Sequence, residues 1–551
     1  MGHSLGQKGT RPLLAFHVHF PYPQGNINTF FFQLDGREPL NTRTLTAIRS
    51  RYPLALFLFL YFLFAILTYQ DYGSTFDESG VYTRGVLLFH SLTHADWTRL
   101  DHKTVPDDGL VVYDHLYSCL LYCLNSSCDL DQYHLLNLLF GALVFIAMFE
   151  VLLWRYPKPW LCLLGPIFLF FIPRFMGDLP ANPKDMPFAV FYFLALAAIL
   201  YYQGHPKTSW FQQGLVLGLF FGLAVCSRLL GLSLFLIYPL FVLHFYWHGV
   251  KHWGLKTFKP FAQRNGMIWC TALAVTTLLV LATWPYLRVD TISRLTDLLI
   301  LSRHFAWVNP VLFMGREILS TQLPWTYLFV WVLITTPLFI LFFLALSLTR
   351  LRKTFQNPLW VLLASTLSIH FFLYLTLRPV LYDGLRHYLF LLPILSAWAA
   401  MTAIEFFTDK KPLLPKRVAG VLVALNLLWV IGQMVLLHPY EYIYFNETVG
   451  GVKGTEGRFD NDYWGASYKE AMVWLKGNAP TEGTVKVTCS GNPYQLLDCL
   501  APNMKWTDEL NDADYYLSTT RDNKDKLAGS APVVHVVQRE GIPLCYVFKL
   551  K

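Results

Sequence analysis

Eleven apolar stretches, separated by polar connections, constrain this chain more than any other feature of its sequence. A bilayer core about 30 Å thick needs about 20 apolar residues per helix, with about 17 as the lower limit. The stretches run over residues 53–69, 135–154, 159–175, 187–203, 210–226, 229–247, 267–285, 325–348, 357–377, 388–406 and 417–437. Only 15% of the residues are charged, whereas a soluble domain has about 25%. The sequence therefore predicts a polytopic α-helical membrane protein with about eleven transmembrane helices.

The basic residues between these stretches predict which connections face the cytoplasm, because cytoplasmic loops retain more Lys and Arg. If residues 1–52 form a cytoplasmic N-terminal segment, the next five cytoplasmic connections are all basic. Their basic residues are Arg155 and Lys158; Lys207; Lys251, Lys256, Lys259 and Arg264; Arg350, Arg352 and Lys353; and Lys410, Lys411, Lys416 and Arg417. The outer loops 70–134 and 286–324, the turn 176–186 and residues 438–551 are then extracytoplasmic.

Residues 110–124 are fairly apolar but short, and they contain Asp114 and His115. A span here would invert every later connection and break the charge pattern. We therefore predict a helix that lies on the outer membrane surface.

Residues 438–551 are polar and predict a small extracytoplasmic α/β domain after the transmembrane region 53–437. Residues 469–476 favour a helix, and residues 484–490, 514–520, 532–538 and 543–550 favour strands. Arg539, Glu540 and Gly541 fit a hairpin turn between the last two strands.

Cysteines and glycosylation sequons add two expectations about the outer face. Cys489 and Cys499 are ten residues apart, and Cys119, Cys123 and Cys128 form a second group, so outer-face disulfides are compatible with the spacing. The sequons at Asn125 and Asn446 both fall in predicted outer segments. In a eukaryotic host both are candidates for glycosylation.

Two adjacent carboxylates, Asp77 and Glu78, follow the first apolar stretch. Beside a membrane, such a pair can supply a general base and an electrostatic partner. A solvated loop or a helix N-terminus, where acids complement the helix dipole, is the alternative explanation. Acids are plentiful in this loop, which also contains Asp101, Asp107, Asp108 and Asp114.

The segment PRFMGDLPANPKDMPF combines four prolines with Arg174, Asp178, Lys184 and Asp185. Its Arg and Lys can bind a phosphate group, Arg through two parallel hydrogen bonds. The alternative is a turn whose cations extend to the membrane interface.

Further cations lie at the predicted outer boundary. Arg228 stands between two apolar stretches with almost no loop, and Arg386 and His387 stand near Arg378 and Asp383. A cation cluster at this depth suits a lipid phosphate or pyrophosphate. Anchoring to lipid headgroups is the alternative. The long outer loop 286–324 is suited to closing over a substrate.

Several classes of function find no support in the sequence. It has no P-loop, dinucleotide fingerprint, HExxH or Gly-x-Ser-x-Gly motif. The missing nucleotide motif argues against an ATP-driven pump. The net charge of +8 follows from the basic cytoplasmic connections, so we expect no nucleic-acid partner.

These features together resemble the glycosyltransferase C-fold superfamily: the Asp-Glu pair, PRF-x-G…NPKD-x-PF between the third and fourth stretches, and Arg-His-Tyr before a late stretch. The segments YFNETVGG (444–451) and DYWGASYKE (462–470) are similar to phospholipid-carrier-dependent glycosyltransferases. These are relatives of the dolichyl-phosphate-mannose protein mannosyltransferases and the aminoarabinose lipid A transferases. The resemblance covers about residues 53–551.

The resemblance implies a sugar donor linked to polyprenyl or dolichyl phosphate. The acceptor, a protein hydroxyl, a lipid or a glycan, would attack the anomeric carbon with inversion on the extracytoplasmic face. That face is the bacterial periplasm or a eukaryotic lumen. The match to the first-loop motif implies Asp77 as general base and Glu78 as its companion. The residues expected to bind the donor phosphate are Lys184, Arg228, Arg386, His387 and Arg174, with Asp178 and Asp185 as further acids.

Three points stay open at this stage. Members of the superfamily differ in their use of a divalent metal, and no His–carboxylate spacing here decides the question. A transporter or lipid flippase is the alternative from another class of function, although we find no internal repeat typical of transporters. A catalytically silent scaffold with a partner-binding outer domain is the third alternative.

Overall fold

The structure is a computed structural model that describes residues 49–94, 116–127, 129–288, 290–303, 307–350, 357–410 and 412–551. Some of the residues named above lie outside these ranges: those before residue 49, Asp101, Asp107, Asp108, Asp114, His115, Cys128, Arg352, Lys353 and Lys411.

The described residues form mostly α-helices, which we number in chain order. In the membrane region they are α1 (Tyr52–Thr68), α2 (Glu78–His94), α3 (Leu116–Leu124), α4 (Leu130–Arg155), α5 (Pro159–Phe170), α6 (Pro173–Ala181), α7 (Asp185–Gly204), α8 (Trp210–Ser227), α9 (Leu234–Trp253), α10 (Phe258–Thr283), α11 (Thr291–Arg303), α12 (Tyr327–Thr335), α13 (Leu338–Ser347), α14 (Pro358–Leu377), α15 (Leu391–Thr408) and α16 (Lys416–Leu437). The C-terminal region adds α17 (Tyr468–Asn478) and the single turn α18 (Tyr494–Leu497).

Eight of the described helices are long and apolar enough to cross a membrane, namely α4, α7, α8, α9, α10, α14, α15 and α16. The pairs α5–α6 and α12–α13 meet the same test only as pairs, with bends of 68° and 116°. Helix α1 is apolar but has only 17 residues, which is close to the lower limit for a span.

The residues that precede and follow the bent pair α12–α13 make contacts at different ends of the helix bundle. The Tyr327 hydroxyl, where α12 begins, accepts a hydrogen bond from the Gly384 amide at 3.1 Å. After α13, Asn357 Nδ2 lies 3.5 Å from the hydroxyl of Tyr156, at the opposite end of the bundle. The pair α5–α6 also starts beside Tyr156 and ends at Ala181. Eight straight helices and the two bent pairs give up to ten candidate spans within the described residues, and α1 falls just short of the same length test, against the eleven that hydropathy predicts.

The bends depart from the straight spans that we expected over 159–175 and 325–348. Pro173 begins α6 after the first bend, and α6 continues to Ala181 with every residue buried. Most of the predicted outer turn 176–186 is therefore helix. Pro337 stands at the second bend. A proline has no backbone N–H, so it cannot continue the hydrogen bonds of α12.

Asn446 provides the hydrogen bonds that the second bend leaves open. Its amide Nδ2 donates to the carbonyl oxygens of Leu333 (2.6 Å) and Thr336 (2.7 Å), and its backbone N–H donates to Ile334 (2.8 Å). The side chain is fully buried. Asn446 is therefore not accessible for glycosylation in the folded protein, so our expectation for this sequon was wrong.

Part of segment 110–124 is helix α3, which packs on α2. Helix α2 starts at Glu78, so the Asp-Glu pair lies at a helix N-terminus, one of the alternatives that the sequence left open.

The C-terminal region contains a five-stranded sheet of β3 (Val485–Cys489), β4 (Met504–Trp506), β5 (Tyr515–Ser518), β6 (Val533–Arg539) and β7 (Ile542–Lys549), in the order β4-β3-β5-β7-β6. Strands β6 and β7 form the predicted hairpin, with Glu540 and Gly541 at positive φ in its turn. The α/β prediction is confirmed, although β4 was missed.

A two-stranded hairpin in the loop 286–324, β1 (Pro310–Phe313) with β2 (Arg316–Leu319), packs on the C-terminal region. The Gly315 amide donates to the carbonyl of Arg458 at 3.0 Å, and the Leu312 amide donates to Asp460 Oδ2 at 3.2 Å. The loop is thus held against the residues that follow the last span.

All eight described cysteines are free thiols. Cys489 and Cys499 therefore do not form the disulfide that their spacing allows.

Candidate functional site

Asp77 stands between two cations at one end of the helix bundle. Lys184 Nζ donates to Asp77 Oδ1 at 3.0 Å, and Arg386 Nη2 donates to Asp77 Oδ2 at 2.6 Å. The Asp77 side chain is 17% exposed, against 10% for Lys184 and 3% for Arg386. The carboxylate is therefore the member of this trio that a ligand reaches most easily.

Arg386 connects three carboxylates. Besides Asp77, it donates from Nη1 to Asp383 Oδ2 at 2.8 Å, and its Nε lies 3.4 Å from Asp185 Oδ2. The rings of Tyr382 and Trp464 lie 5.3 and 5.4 Å from the guanidinium carbon, which is within cation–π range. This environment fixes the orientation of the guanidinium group.

Arg228 extends the same set, because it pairs with Asp185 Oδ1. Asn182 donates from Nδ2 to Asp178 (3.0 Å) and Asp185 (3.2 Å) and accepts from the Asp185 backbone amide at 2.9 Å. We refer to Asp77, Lys184, Asp185, Arg228, Asp383 and Arg386 as the charge cluster. Its three cations and three carboxylates balance.

Two close backbone contacts bring these residues together. At Gly177 in α6, a Cβ atom would lie 2.2 Å from the amide nitrogen of Tyr442. At Gly73, before Asp77, a Cβ would lie 2.1 Å from the carbonyl oxygen of Ala466. Only glycine allows these approaches, so both segments pack directly on the start of the C-terminal region.

Glu78 points away from the cluster and is fully buried. Its carboxylate accepts from the Thr75 amide at 2.7 Å and the Tyr82 hydroxyl at 3.2 Å, and it lies 2.9 Å from His134 Nε2. The Thr75 hydroxyl donates in turn to the Ala181 carbonyl at 2.9 Å. Glu78 therefore ties the segment that carries Asp77 to the end of α6.

Arg174 lies beside the charge cluster without joining its ion pairs. It is almost fully buried and donates to the Tyr463 hydroxyl at 3.1 Å. Its guanidinium carbon lies 5.2 Å from the ring centre of Trp331 and 5.5 Å from that of Phe445. The guanidinium of Arg174, which we expected to bind the donor phosphate, is thus enclosed by aromatic rings.

His387 follows Arg386 but is not a cation in this environment. Burial, together with the positive charges of Arg228 and Arg386, holds the pKa of the His387 ring well below its ordinary value. The ring lies edge-on to Tyr382, 4.6 Å between centres. The neutral imidazole can hydrogen-bond but cannot supply a positive charge.

The cations control the ionisation of Asp77. Burial would raise the pKa of this carboxyl group, but Lys184 and Arg386 outweigh it and hold the pKa well below the usual range. Asp77 is therefore ionised at neutral pH, as required of a base, although its cation partners weaken its affinity for a proton.

Sequence reasoning missed the contribution of the C-terminal region to this site. The DYWG segment supplies Tyr463 to Arg174 and Trp464 to Arg386. A buried carboxylate, Asp462, folds the segment by accepting from the Gly465 and Ser467 amides at 2.8 and 3.1 Å. The motif itself was a signal for this role, but its contact with the membrane helices was not readable from sequence.

No group of three or more His, Cys, Asp or Glu residues arranged for a metal occurs within the described ranges. The carboxylate oxygens of Asp77, Asp185 and Asp383 in the charge cluster each face a nitrogen atom of Lys, Arg or Asn.

Comparison with family models and with curated proteins gives no match. Among solved structures, the chain is similar to ArnT from Cupriavidus metallidurans bound to undecaprenyl phosphate, with a TM-score of 0.50 and 13% identity over 90% of this chain and 97% of that one. It also matches the archaeal oligosaccharyltransferase AglB from Archaeoglobus fulgidus in complex with an inhibitory peptide and a dolichol-phosphate, with a TM-score of 0.42 and 12% identity over 87% and 71% of the chains. The likeness to ArnT extends over nearly the whole of both molecules. The chain is therefore a multi-pass membrane protein that shares its overall fold with ArnT.

Proposed function

We propose that this protein transfers a sugar from a polyprenyl- or dolichyl-phosphate carrier to an acceptor on the extracytoplasmic side of the membrane. The observation that carries the proposal is the accessible Asp77 carboxylate held between Lys184 and Arg386 at one end of the bundle. Such a transfer needs a carboxylate to accept the acceptor proton and cations to stabilise the leaving phosphate. The ArnT structure contains undecaprenyl phosphate, a carrier of the same chemical class.

In the proposed step, the acceptor oxygen or nitrogen forms a bond to the anomeric carbon of the sugar. The bond between that carbon and the phosphate oxygen breaks, and the lipid phosphate leaves with the electron pair. Asp77 takes the proton of the acceptor group. Attack opposite to the leaving group inverts the configuration at the anomeric carbon.

A bound donor would also change the basicity of Asp77, because it would interact with the same two cations. When Lys184 and Arg386 also interact with a donor phosphate, less of their positive charge acts on Asp77. The carboxylate then binds a proton more readily. Donor binding would thus strengthen the base at the moment when the reaction needs it.

The contacts of the other candidate residues suggest more limited roles. Lys184, Arg228 and Arg386 are the proposed phosphate-binding cations. Glu78 is proposed to position Asp77, because the Glu78 carboxylate is already enclosed by its hydrogen-bond partners Thr75 and His134. His387 is proposed as a neutral hydrogen-bonding group.

Orientation in the membrane is part of the proposal. Arg386 and the hairpin β1–β2 contact the C-terminal region at one end of the bundle, and Asp77 and Lys184 join Arg386 there. The basic connections, such as Arg155 and Lys158, lie at the opposite end. We propose that the site end is extracytoplasmic, because the basic end is then cytoplasmic.

The test is an in vitro transfer assay with purified protein. A panel of polyprenyl- and dolichyl-phosphate sugars is combined with peptide, lipid and glycan acceptors, and products are identified by mass spectrometry. Anomeric configuration, measured by NMR on the product, should be inverted relative to the donor. Movement of lipid between leaflets in vesicles, without any sugar transfer, would favour the flippase alternative.

A further inference from the structure

Arg521, in the C-terminal region, reaches into the membrane-side charge cluster. Its Nη2 atom lies 2.6 Å from Asp383 Oδ1, and the Asp383 side chain is only 4% exposed. Arg521 begins a short helical segment, Arg521–Ala528, which follows strand β5 of the sheet. Asp383 lies between helices α14 and α15, whereas Arg521 lies in the C-terminal region. The ion pair therefore forms only when the C-terminal region is docked on the helix bundle.

The ion pair continues to the proposed base through shared groups. The second oxygen of Asp383 accepts from Arg386 Nη1 at 2.8 Å, and Arg386 Nη2 donates to Asp77 at 2.6 Å. The path Arg521–Asp383–Arg386–Asp77 therefore consists of direct contacts, and each carboxylate in it lies between two cations.

Arg521 is itself held by two other segments. Its Nη1 donates to the Tyr463 carbonyl of the DYWG segment, and its guanidinium carbon lies 5.4 Å from the Trp307 ring centre. Asn523, two residues on, donates to Glu317 Oε1 of strand β2 at 2.7 Å. The outer loop and the C-terminal region thus fix the Arg521 side chain together.

The position of Arg386 depends on whether Asp383 also binds Arg521. With Arg521 present, Asp383 divides its charge between two guanidinium groups, and Arg386 keeps its contact with Asp77. Without Arg521, Asp383 would keep Arg386 as its remaining close cation or would take up a proton. In both cases the geometry of Arg386 at Asp77 changes.

We propose that Arg521 is a positioning residue for Arg386, so that the active site is complete only when the C-terminal region is docked. The catalytic effect of Arg521 in this inference rests on the proposed function. The contacts themselves can be tested separately from it.

The first measurement is hydrogen–deuterium exchange on the full-length protein and on Arg521→Gln. The amides of Gly384, Tyr388 and Leu389 are hydrogen-bonded, so a peptide covering residues 378–390 reports on the Arg386 segment. We expect exchange there to accelerate by about tenfold, while peptides from strands β5 and β7 stay unchanged. The matched control is Lys505→Gln, which removes one exposed positive charge from the same region.

The second measurement is the transfer assay with the same variants. Arg521→Gln should lower kcat by about 10- to 100-fold, with a smaller change in the donor KM, whereas Lys505→Gln should match the unaltered protein. The acid limb of the pH–rate profile should move to higher pH, because loss of Arg521 raises the pKa of Asp383 further. Burial already raises the pKa of Asp383, although the positive charges of Arg521 and Arg386 act in the opposite direction. The carboxylates of Asp77, Asp522 and Asp460 also face Asp383.

Each outcome decides one of the two proposals. Unchanged exchange across residues 378–390 overturns the role of Arg521, whatever the transfer assay shows. Absence of transfer by the unaltered protein overturns the proposed function, while the exchange result still decides the inference. If Arg521→Gln does not fold, Arg521→Lys decides alone, because lysine cannot bind Asp383 and the Tyr463 carbonyl as a fork. Exchange and kcat equal to the unaltered protein in that variant would overturn the assignment.

Discussion

At the scale of single residues, the site is a set of buried charges that neutralise one another. Charges can be buried only when partners or hydrogen bonds offset their lost hydration. Lys184, Arg228 and Arg386 each have a carboxylate partner, so the cluster is stable without a bound phosphate. An anionic ligand would compete with these carboxylates for the same cations. Asp77 is the carboxylate best placed to respond because it is the most exposed.

Replacing Asp77 by Asn should strongly reduce transfer while leaving the protein folded. The amide keeps the shape of the carboxylate but cannot accept the acceptor proton, and general-base catalysis contributes about 10²–10⁴-fold. We expect kcat to fall by that factor, measured with a cognate lipid-linked sugar. Asp498→Asn, at an exposed position of the C-terminal region, serves as the control. Unaltered turnover in Asp77→Asn would place the base elsewhere, with Asp178 and Asp185 as the next candidates.

Replacing Glu78 by Gln should act mainly on stability. The new amide would turn an N–H group toward one of the donors that now face the carboxylate, Thr75, Tyr82 or His134. An unmet buried hydrogen bond of this kind costs about 1–3 kcal/mol. We expect a lower thermal midpoint and a smaller loss of kcat than in Asp77→Asn. A variant with normal stability and no activity would instead indicate a direct catalytic role for Glu78.

At the scale of elements, the two bent spans create the site. After the bend that precedes α6, Asp178 and Asn182 are buried, and Asn182 donates to both Asp178 and Asp185. The bend before α13 requires Asn446 from the C-terminal region to bind the open carbonyl groups. Interruptions of this kind are tolerated at membrane depth only where the protein supplies new hydrogen bonds.

Two glycines, Gly177 in α6 and Gly432 in α16, provide a pair of opposite substitutions. In Gly177→Ala the new Cβ would lie 2.2 Å from a backbone nitrogen, and overpacking of this kind costs about 1–3 kcal/mol. We expect a lower thermal midpoint and weaker transfer, because α6 must move away from Tyr442. In Gly432→Ala, within α16, the Cβ meets no atom within 4 Å, so stability should be unchanged or slightly higher. Equal thermal midpoints for the two variants would contradict the close approach at Gly177.

The limits of sequence reasoning also appear at this scale. Hydropathy located the candidate spans because each needs a long apolar segment, and the strand-like segments located β3, β5, β6 and β7. The bends were missed because a proline near the middle of an apolar run does not reveal whether another segment will bind the freed carbonyls. Charges at loop ends identified Asp77, Lys184, Arg228 and Arg386. Their pairing depends on contacts across hundreds of residues, and so does the role of Arg521.

At the scale of the whole molecule, His438 joins the loop after α1 to the end of α16. Its Nδ1 lies 2.6 Å from Glu441 Oε1, and its Nε2 lies 2.9 Å from Asp71 Oδ2. Burial would lower the pKa of this histidine, but Glu441 and Asp71 raise it to about 9. The imidazolium is therefore the form that holds the two segments together at neutral pH.

This raised pKa predicts the direction of the pH dependence of stability. A group whose pKa is higher in the folded state contributes fully below its ordinary value of 6.5 and loses that contribution as the pH rises through about 9. The thermal midpoint should therefore fall between pH 7 and 10 in the unaltered protein and fall less in His438→Gln. His535→Gln, which removes a histidine stacked on Trp474, is the control. Parallel curves for the unaltered protein and His438→Gln would exclude the link.

The orientation of the whole molecule is open to a direct test by cysteine labelling. With the site end outside, single cysteines at His90, Ile300 and Lys505 should react with an impermeant maleimide added to intact cells. Cysteines at Lys256 and Leu413 should react only after the membrane is permeabilised. All five positions are exposed, so a lack of labelling reports on the membrane rather than on burial. Labelling of position 256 from outside would reverse the map. The proposed transfer would then take place on the cytoplasmic face, because the contacts of Asp77 with Lys184 and Arg386 keep the site at one end of the bundle in either orientation.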